Sequence, residues 1–137
     1  YFDRIVSKYQ PKLILVYEGD NDLAAGKTPE TILEDFKIFA DKIKKQVPNA
    51  IVGYCSVRPS IARTSIREKQ KTVNKLIEDY CKQQKRFYFI DIQKEYYLPN
   101  GELMPDVFVA DQLHLNEKGY KIWTLATRKF LKKRFKA

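Results

Sequence analysis

The segment Leu13-Ile14-Leu15-Val16-Tyr17 is a continuous apolar run that leads into Gly19-Asp20-Asn21-Asp22. A short run without polar alternation suits a strand buried on both faces, as in a parallel sheet. Two further runs have the same character, Ile51-Val52-Gly53-Tyr54-Cys55 and Phe87-Tyr88-Phe89-Ile90. The midpoints of the three are nearly equally spaced, which leaves room for one helix in each interval. The first interval has Thr28 before Pro29, a cap and first-turn proline, then Ile32, Phe36, Phe39, Ile43 and Val47 on one stripe. The second opens with Ser65-Ile66-Arg67-Glu68, a capping-box pattern, and carries Ile66, Val73, Ile77, Tyr80 and Cys81 inward. A last helix is expected from an Asn116 cap through Tyr120, Trp123, Thr127, Phe130 and Leu131. This βα alternation predicts one α/β domain with a parallel sheet over residues 1–137, without linker or repeat.

Composition agrees with a packed domain. The chain has 137 residues, 44% hydrophobic and 31% charged, with nine Tyr, eight Phe and one Trp, too rich in large side chains for a disordered segment. No apolar run approaches the roughly 20 residues of a membrane-spanning helix, so no transmembrane segment is expected. Net charge is +9, and Lys129, Lys132, Lys133, Arg134 and Lys136 crowd the C-terminal end. That cluster reads as the solvated face of the last helix. No zinc-finger spacing, Gly-aromatic strand signature or arginine-rich arm accompanies it, so no specific nucleic-acid partner is expected. Cys55 and Cys81 read as small core residues, with no disulfide called for. The opening Tyr1-Phe2-Asp3-Arg4-Ile5-Val6-Ser7-Lys8-Tyr9 has apolar residues on one helical face but no cap and no leader, as if cut from something longer; it assigns no compartment.

In an open α/β sheet, ligands bind at the carboxyl ends of the strands. That rule selects Gly19–Asp22, Ser56–Arg63 and the stretch from Asp91 to Asn116. The third contains His114, the single histidine, three residues after Asp111. A carboxylate so placed in a turn can reach Nδ1 and leave Nε2 as a general base; the plainer alternative is a pair of helix-entry residues. In the first segment Asn21 can offer its amide as a donor to a developing oxyanion, although Gly, Asn and Asp are also ordinary turn formers.

Taken together, Gly19-Asp20-Asn21-Asp22 after a buried strand and Asp111-Gln112-Leu113-His114-Leu115-Asn116-Glu117-Lys118-Gly119-Tyr120 near the C-terminus resemble the third and fifth blocks of the SGNH hydrolases, the GDSL-type esterases and lipases. Ser56-Val57-Arg58-Pro59-Ser60 and Arg63 look like the loop after the middle strand in one bacterial branch. The resemblance implies a three-layer αβα, flavodoxin-like fold and a serine ester hydrolase acting on a small-molecule ester, with no metal or organic cofactor. It implies His114 as general base, Asp111 as its orienting partner, Asn21 as an oxyanion-hole donor, and Gly19 and Asp22 as structural at the site. Gln112 stands where many members have Gly.

The family's nucleophilic serine and second oxyanion donor belong to blocks not found in these 137 residues. The chain therefore resembles the C-terminal portion of such a domain, without the N-terminal strands, and alone is expected to be inert. Ser56 and Ser60 are the only serines expected near the cleft, and neither has the elbow that nucleophiles need. A strand order like 2-1-3-4-5, less its first two strands, would leave Leu13–Tyr17 as an edge, open to a homodimer or to the missing N-terminal part. Two other readings compete. One is a metal-dependent phosphatase or phosphodiesterase using Asp20 and Asp22 with Asp111. The other is a non-enzymatic module binding polyanions through the C-terminal basic cluster.

Overall fold

The computed structural model describes residues 1–135; Lys136 of the basic cluster lies outside them. Three strands, β1 (Leu13–Val16), β2 (Ile51–Cys55) and β3 (Phe87–Ile90), form a parallel sheet in the order β1-β2-β3. Register pairs Leu13 with Ile51 and Val52 with Phe87. The three apolar runs are these strands, as expected from the sequence, and β1 lies at an edge, as the family resemblance implied.

Helices α3 (Pro29–Gln46) and α4 (Arg67–Lys82) are the two crossovers. A right-handed connection repeated in one direction puts both on the same face. Strand residues alternate accordingly: Val16, Val52, Tyr54 and Phe87 join α3 and α4 in the main core, while Cys55 and Ile90 face α5 (Glu117–Arg134). The result is the three-layer αβα arrangement. Phe36 is fully enclosed, its ring edge-on to Tyr54, Tyr80 and Phe87 at centroid distances of 5.0, 5.8 and 6.3 Å.

Helix signals are borne out at α3, where Thr28 Oγ1 accepts from Thr31 N at 3.2 Å, and at α5, where Asn116 Oδ1 accepts from Gly119 N at 3.0 Å. Two expectations need correction. The expected capping box does not form: a one-turn 3-10 helix (Thr64–Ile66) precedes α4, whose N-cap is Ile66, with no side-chain cap. The expected N-terminal helix is two fragments, α1 (Phe2–Ile5) and a 3-10 turn (Ser7–Tyr9), with Ile5 and Tyr9 exposed. Only Phe2 and Val6 of that face pack on the core, Phe2 against Phe39 at 5.5 Å. Tyr120, in the first turn of α5, is exposed. No helix among the described residues is long and apolar enough to cross a membrane. Cys55 and Cys81 are both buried and free, with burial pushing their thiols up to about 11 and about 12.

Candidate active site

The C-terminal ends of the strands carry the site. After β1, Gly19 takes φ +111°, a conformation that side chains rarely adopt, and becomes the N-cap of the short helix α2 (Asp20–Ala24). The segment read as a turn is thus a helix start. Asp20 is the residue locked in place: Gln70 Nε2 donates to its Oδ1 at 2.7 Å, and Arg63 Nε lies 3.7 Å from its Oδ2. Arg63 Nη2 also donates to Asn21 Oδ1 at 3.4 Å. A guanidinium only donates, so the Asn21 amide must turn its oxygen to Arg63 and keep Nδ2 as the outward donor. Asp22 sits at the surface, 3.4 Å from Lys27 Nζ.

After β2, Ser56 is buried and its Oγ accepts from Ile92 N and Gln93 N at 3.0 and 3.1 Å. Asn74 of α4, also buried, accepts from Val57 N at 2.7 Å and donates to Val57 O at 2.9 Å. These bonds tie the loop after β2 to the loop after β3 and to α4. Ser60 is equally buried. Neither serine is presented to the cleft.

The loop after β3 ends in a narrow return, closed by a bridge between Phe108 and Leu115 and by Val109 N donating to His114 O at 2.9 Å. At its tip Gln112 takes φ +60°, the left-handed conformation that glycine adopts without strain. Asp111 organises the tip with both oxygens. Its Oδ1 accepts from Leu113 N and His114 N, each at 2.9 Å, and its Oδ2 meets His114 Nδ1 at 2.5 Å. Those bonds, the imidazole's first, hold the carboxyl down to about 2. Two links dock the tip on the loop after β2: Arg58 Nη2 to Leu113 O at 2.9 Å, and Ala62 N to Gln112 O at 3.1 Å.

His114 opens onto a cavity of about 340 Å³ lined also by Tyr17, Arg58, Leu115, Tyr120, Trp123 and Thr124. Asn21 is at the same edge of the sheet but not in this lining. The arrangement brings Asp111 and His114 together. It does not bring Asp111 to Asp20 and Asp22, and no metal-binding group of three His, Cys, Asp or Glu occurs among the described residues. The Asp20/Asp22/Asp111 cluster that a metal-dependent phosphatase would need is therefore not formed. Gln70 and Asn74, which fix the loops, were missed in the sequence. Their signal is two polar residues four apart on the inward stripe of α4.

An open parallel sheet flanked by helices, with a carboxylate-held histidine at its C-terminal edge, defines a three-layer α/β protein. The chain belongs to the GDSL-like lipase/acylhydrolase family, a model of which matches residues 1–122. Solved structures agree in fold. A GDSL-like lipase of Bacteroides thetaiotaomicron superposes with TM-score 0.74 at 22% identity, over 98% of this chain and 68% of its own. A family 3 carbohydrate esterase of Talaromyces cellulolyticus gives 0.78 at 18%, over 93% and 60%. The OSK domain of Drosophila Oskar gives 0.76 at 20%, over 87% and 61%. The chain thus spans 60–68% of the length of these proteins. No curated protein matches it by sequence comparison.

Proposed function

We propose that this chain is the base-bearing part of a serine ester hydrolase whose nucleophile lies in a segment outside these 137 residues. The observation that carries the reading is the double use of Asp111, which fixes both the backbone and the Nδ1 edge of His114 and leaves Nε2 for chemistry. In the reaction His114 Nε2 takes the serine hydroxyl proton as Oγ attacks the ester carbonyl. Asn21 Nδ2 donates to the oxyanion. The imidazolium then protonates the leaving alkoxide, and a water activated by the same Nε2 releases the carboxylic acid and restores the serine. Asp111 stays ionised throughout and holds the tautomer. Gly19 and Asp22 shape the start of α2, which carries Asn21.

The nucleophile-bearing segment pairs with the free edge of β1, where Leu15 is 44% exposed. A second copy of the chain occupies that edge when the segment is lacking. The substrate is a small-molecule ester, and the chemistry requires no metal or organic cofactor.

Fluorophosphonate labelling followed by intact mass tests this. The expected result is no adduct on the 137-residue chain and one adduct on the longer chain carrying the upstream segment, slowed at least about a hundredfold by His114→Ala. An adduct on the short chain that disappears with His114→Ala would place the nucleophile inside it and overturn the division. Labelling of the longer chain indifferent to His114→Ala would overturn the assignment of the base.

A further inference from the structure

Arg58 is out of place for a surface cation. It is only 8% exposed, and among the described residues no carboxylate lies within 4 Å of it. Of its five N–H donors, one is spent on Leu113 O, and Nε is enclosed without a partner. Its Cζ lies 6.0 Å from the centre of the Phe108 ring. A guanidinium withdrawn from water without a counter-ion is costly, and such a charge is normally compensated by a paired anion.

Arg58 is also a wall of the cavity that contains His114. Apart from Thr124, the other walls are aromatic or aliphatic: Tyr17, Leu115, Tyr120 and Trp123. A cavity with apolar sides, a single fixed cation and a general base at its mouth suits a ligand that is apolar along its length and carries one negative group.

We infer that this cavity is a carboxylate subsite, in which Arg58 receives an acid group on the acyl or alcohol part of the ester. One guanidinium matches the single charge of a carboxylate and presents the forked geometry that carboxylates accept. A phosphate dianion would bring a second charge, and Arg58 is the one permanently charged cation in the lining. The preference for acid-bearing esters rests on the ester-hydrolase reading above. Binding of the carboxylate does not, since it needs neither serine nor turnover.

Trp123 is the only tryptophan of the chain and lines the same cavity, so its fluorescence reports occupancy directly. The probes are monomethyl succinate, the uncharged methyl butyrate of similar size, and inorganic phosphate, each titrated into the 137-residue chain. Monomethyl succinate is expected to give a saturable change, at least about tenfold tighter than either of the others and weakened by about 0.5 M salt. Arg58→Gln, checked for native circular dichroism, is expected to abolish that tenfold preference. Methyl butyrate binding as tightly as monomethyl succinate, or no saturable response to any probe, would overturn the subsite. Tighter binding of phosphate would overturn the carboxylate assignment. Should Arg58→Gln fail to fold, the ranking of the three probes on the unaltered chain still decides. A working subsite alongside failed fluorophosphonate labelling would separate the loss of the hydrolase reading from the loss of this one.

Discussion

The two faces of the sheet are covered by helices of equal length and unequal depth. α3 and α5 each run for 18 residues, yet α3 buries Pro29, Ile32, Phe36, Ala40 and Ile43, whereas α5 buries Gly119 alone. On the α5 side Trp123 and Phe130 are half-covered, and Leu15 of the edge strand faces solvent. The closed face holds no candidate catalytic group. The open face holds the cavity, His114 and the β1 edge. Packing is deepest on the α3 face, and the incompletely covered half is where the proposed segment and substrate would dock.

That contrast can be broken by truncating each face. Phe36→Ala removes a fully enclosed ring with three aromatic neighbours and is expected to cost about 3–5 kcal/mol, whereas Phe130→Ala should cost about half as much. Urea midpoints measure both. Equal losses would mean that α5 is anchored as firmly as α3.

The one buried residue of α5 sharpens the comparison. A Cβ on Gly119 would sit 2.5 Å from Val107 O and 2.7 Å from the Leu115 side chain. Gly119→Ala is expected to lift the first turn of α5 off the His114 loop at a cost of about 1–3 kcal/mol. The change should appear in Trp123 fluorescence as well as in urea melts, since Trp123 lies one turn further along the helix.

Gln112→Gly is expected to stabilise by about 0.5–1 kcal/mol, because relief of a left-handed side chain outweighs the added freedom of the unfolded chain. A loss on that substitution would show that the Gln112 side chain has a role in the loop.

The smallest effect concerns acid. The folded Asp111 carboxyl, at about 2, lies below its ordinary 3.8, so the unfolded chain binds more protons between those values. The contribution is therefore fully present above about pH 4 and is lost as pH falls toward about 2, and solvent screening keeps it small. Denaturant midpoints across that window should fall more steeply for the wild type than for Asp111→Ala.

Much of the frame was legible because burial on both faces leaves an unbroken apolar signature, which marked all three strands and the inward stripe of α3. The Asp111 and His114 pair was legible because both ends of the interaction lie within one turn. Where the signal was local but the outcome depended on neighbours, reading failed. Ser65 has the pattern of a cap, yet Thr64 Oγ1 donates to Ile61 O at 2.7 Å and Arg67 Nη2 donates to Ser60 O at 2.8 Å, which winds a 3-10 turn ahead of α4. Asp20, read in the sequence only as a metal ligand, takes the buried bond because Gln70 reaches it from α4.

The order of apolar runs, caps and turn residues is a property of neighbours along the chain, so the sequence carried the α/β class with its parallel sheet and the histidine–carboxylate pair, while the three-layer form and the edge position of β1 came from the family resemblance. Burial of a long cation is different. Arg58 reads as an ordinary loop residue until the His114 loop folds over it and removes its water. The same holds for Ser56, whose hydroxyl is consumed by backbone 36 residues away. Contacts of that span are fixed only when three loops meet at one edge of the sheet. That meeting enclosed Ser56 and Ser60 away from the cleft and turned an arginine into the charged wall of a cavity.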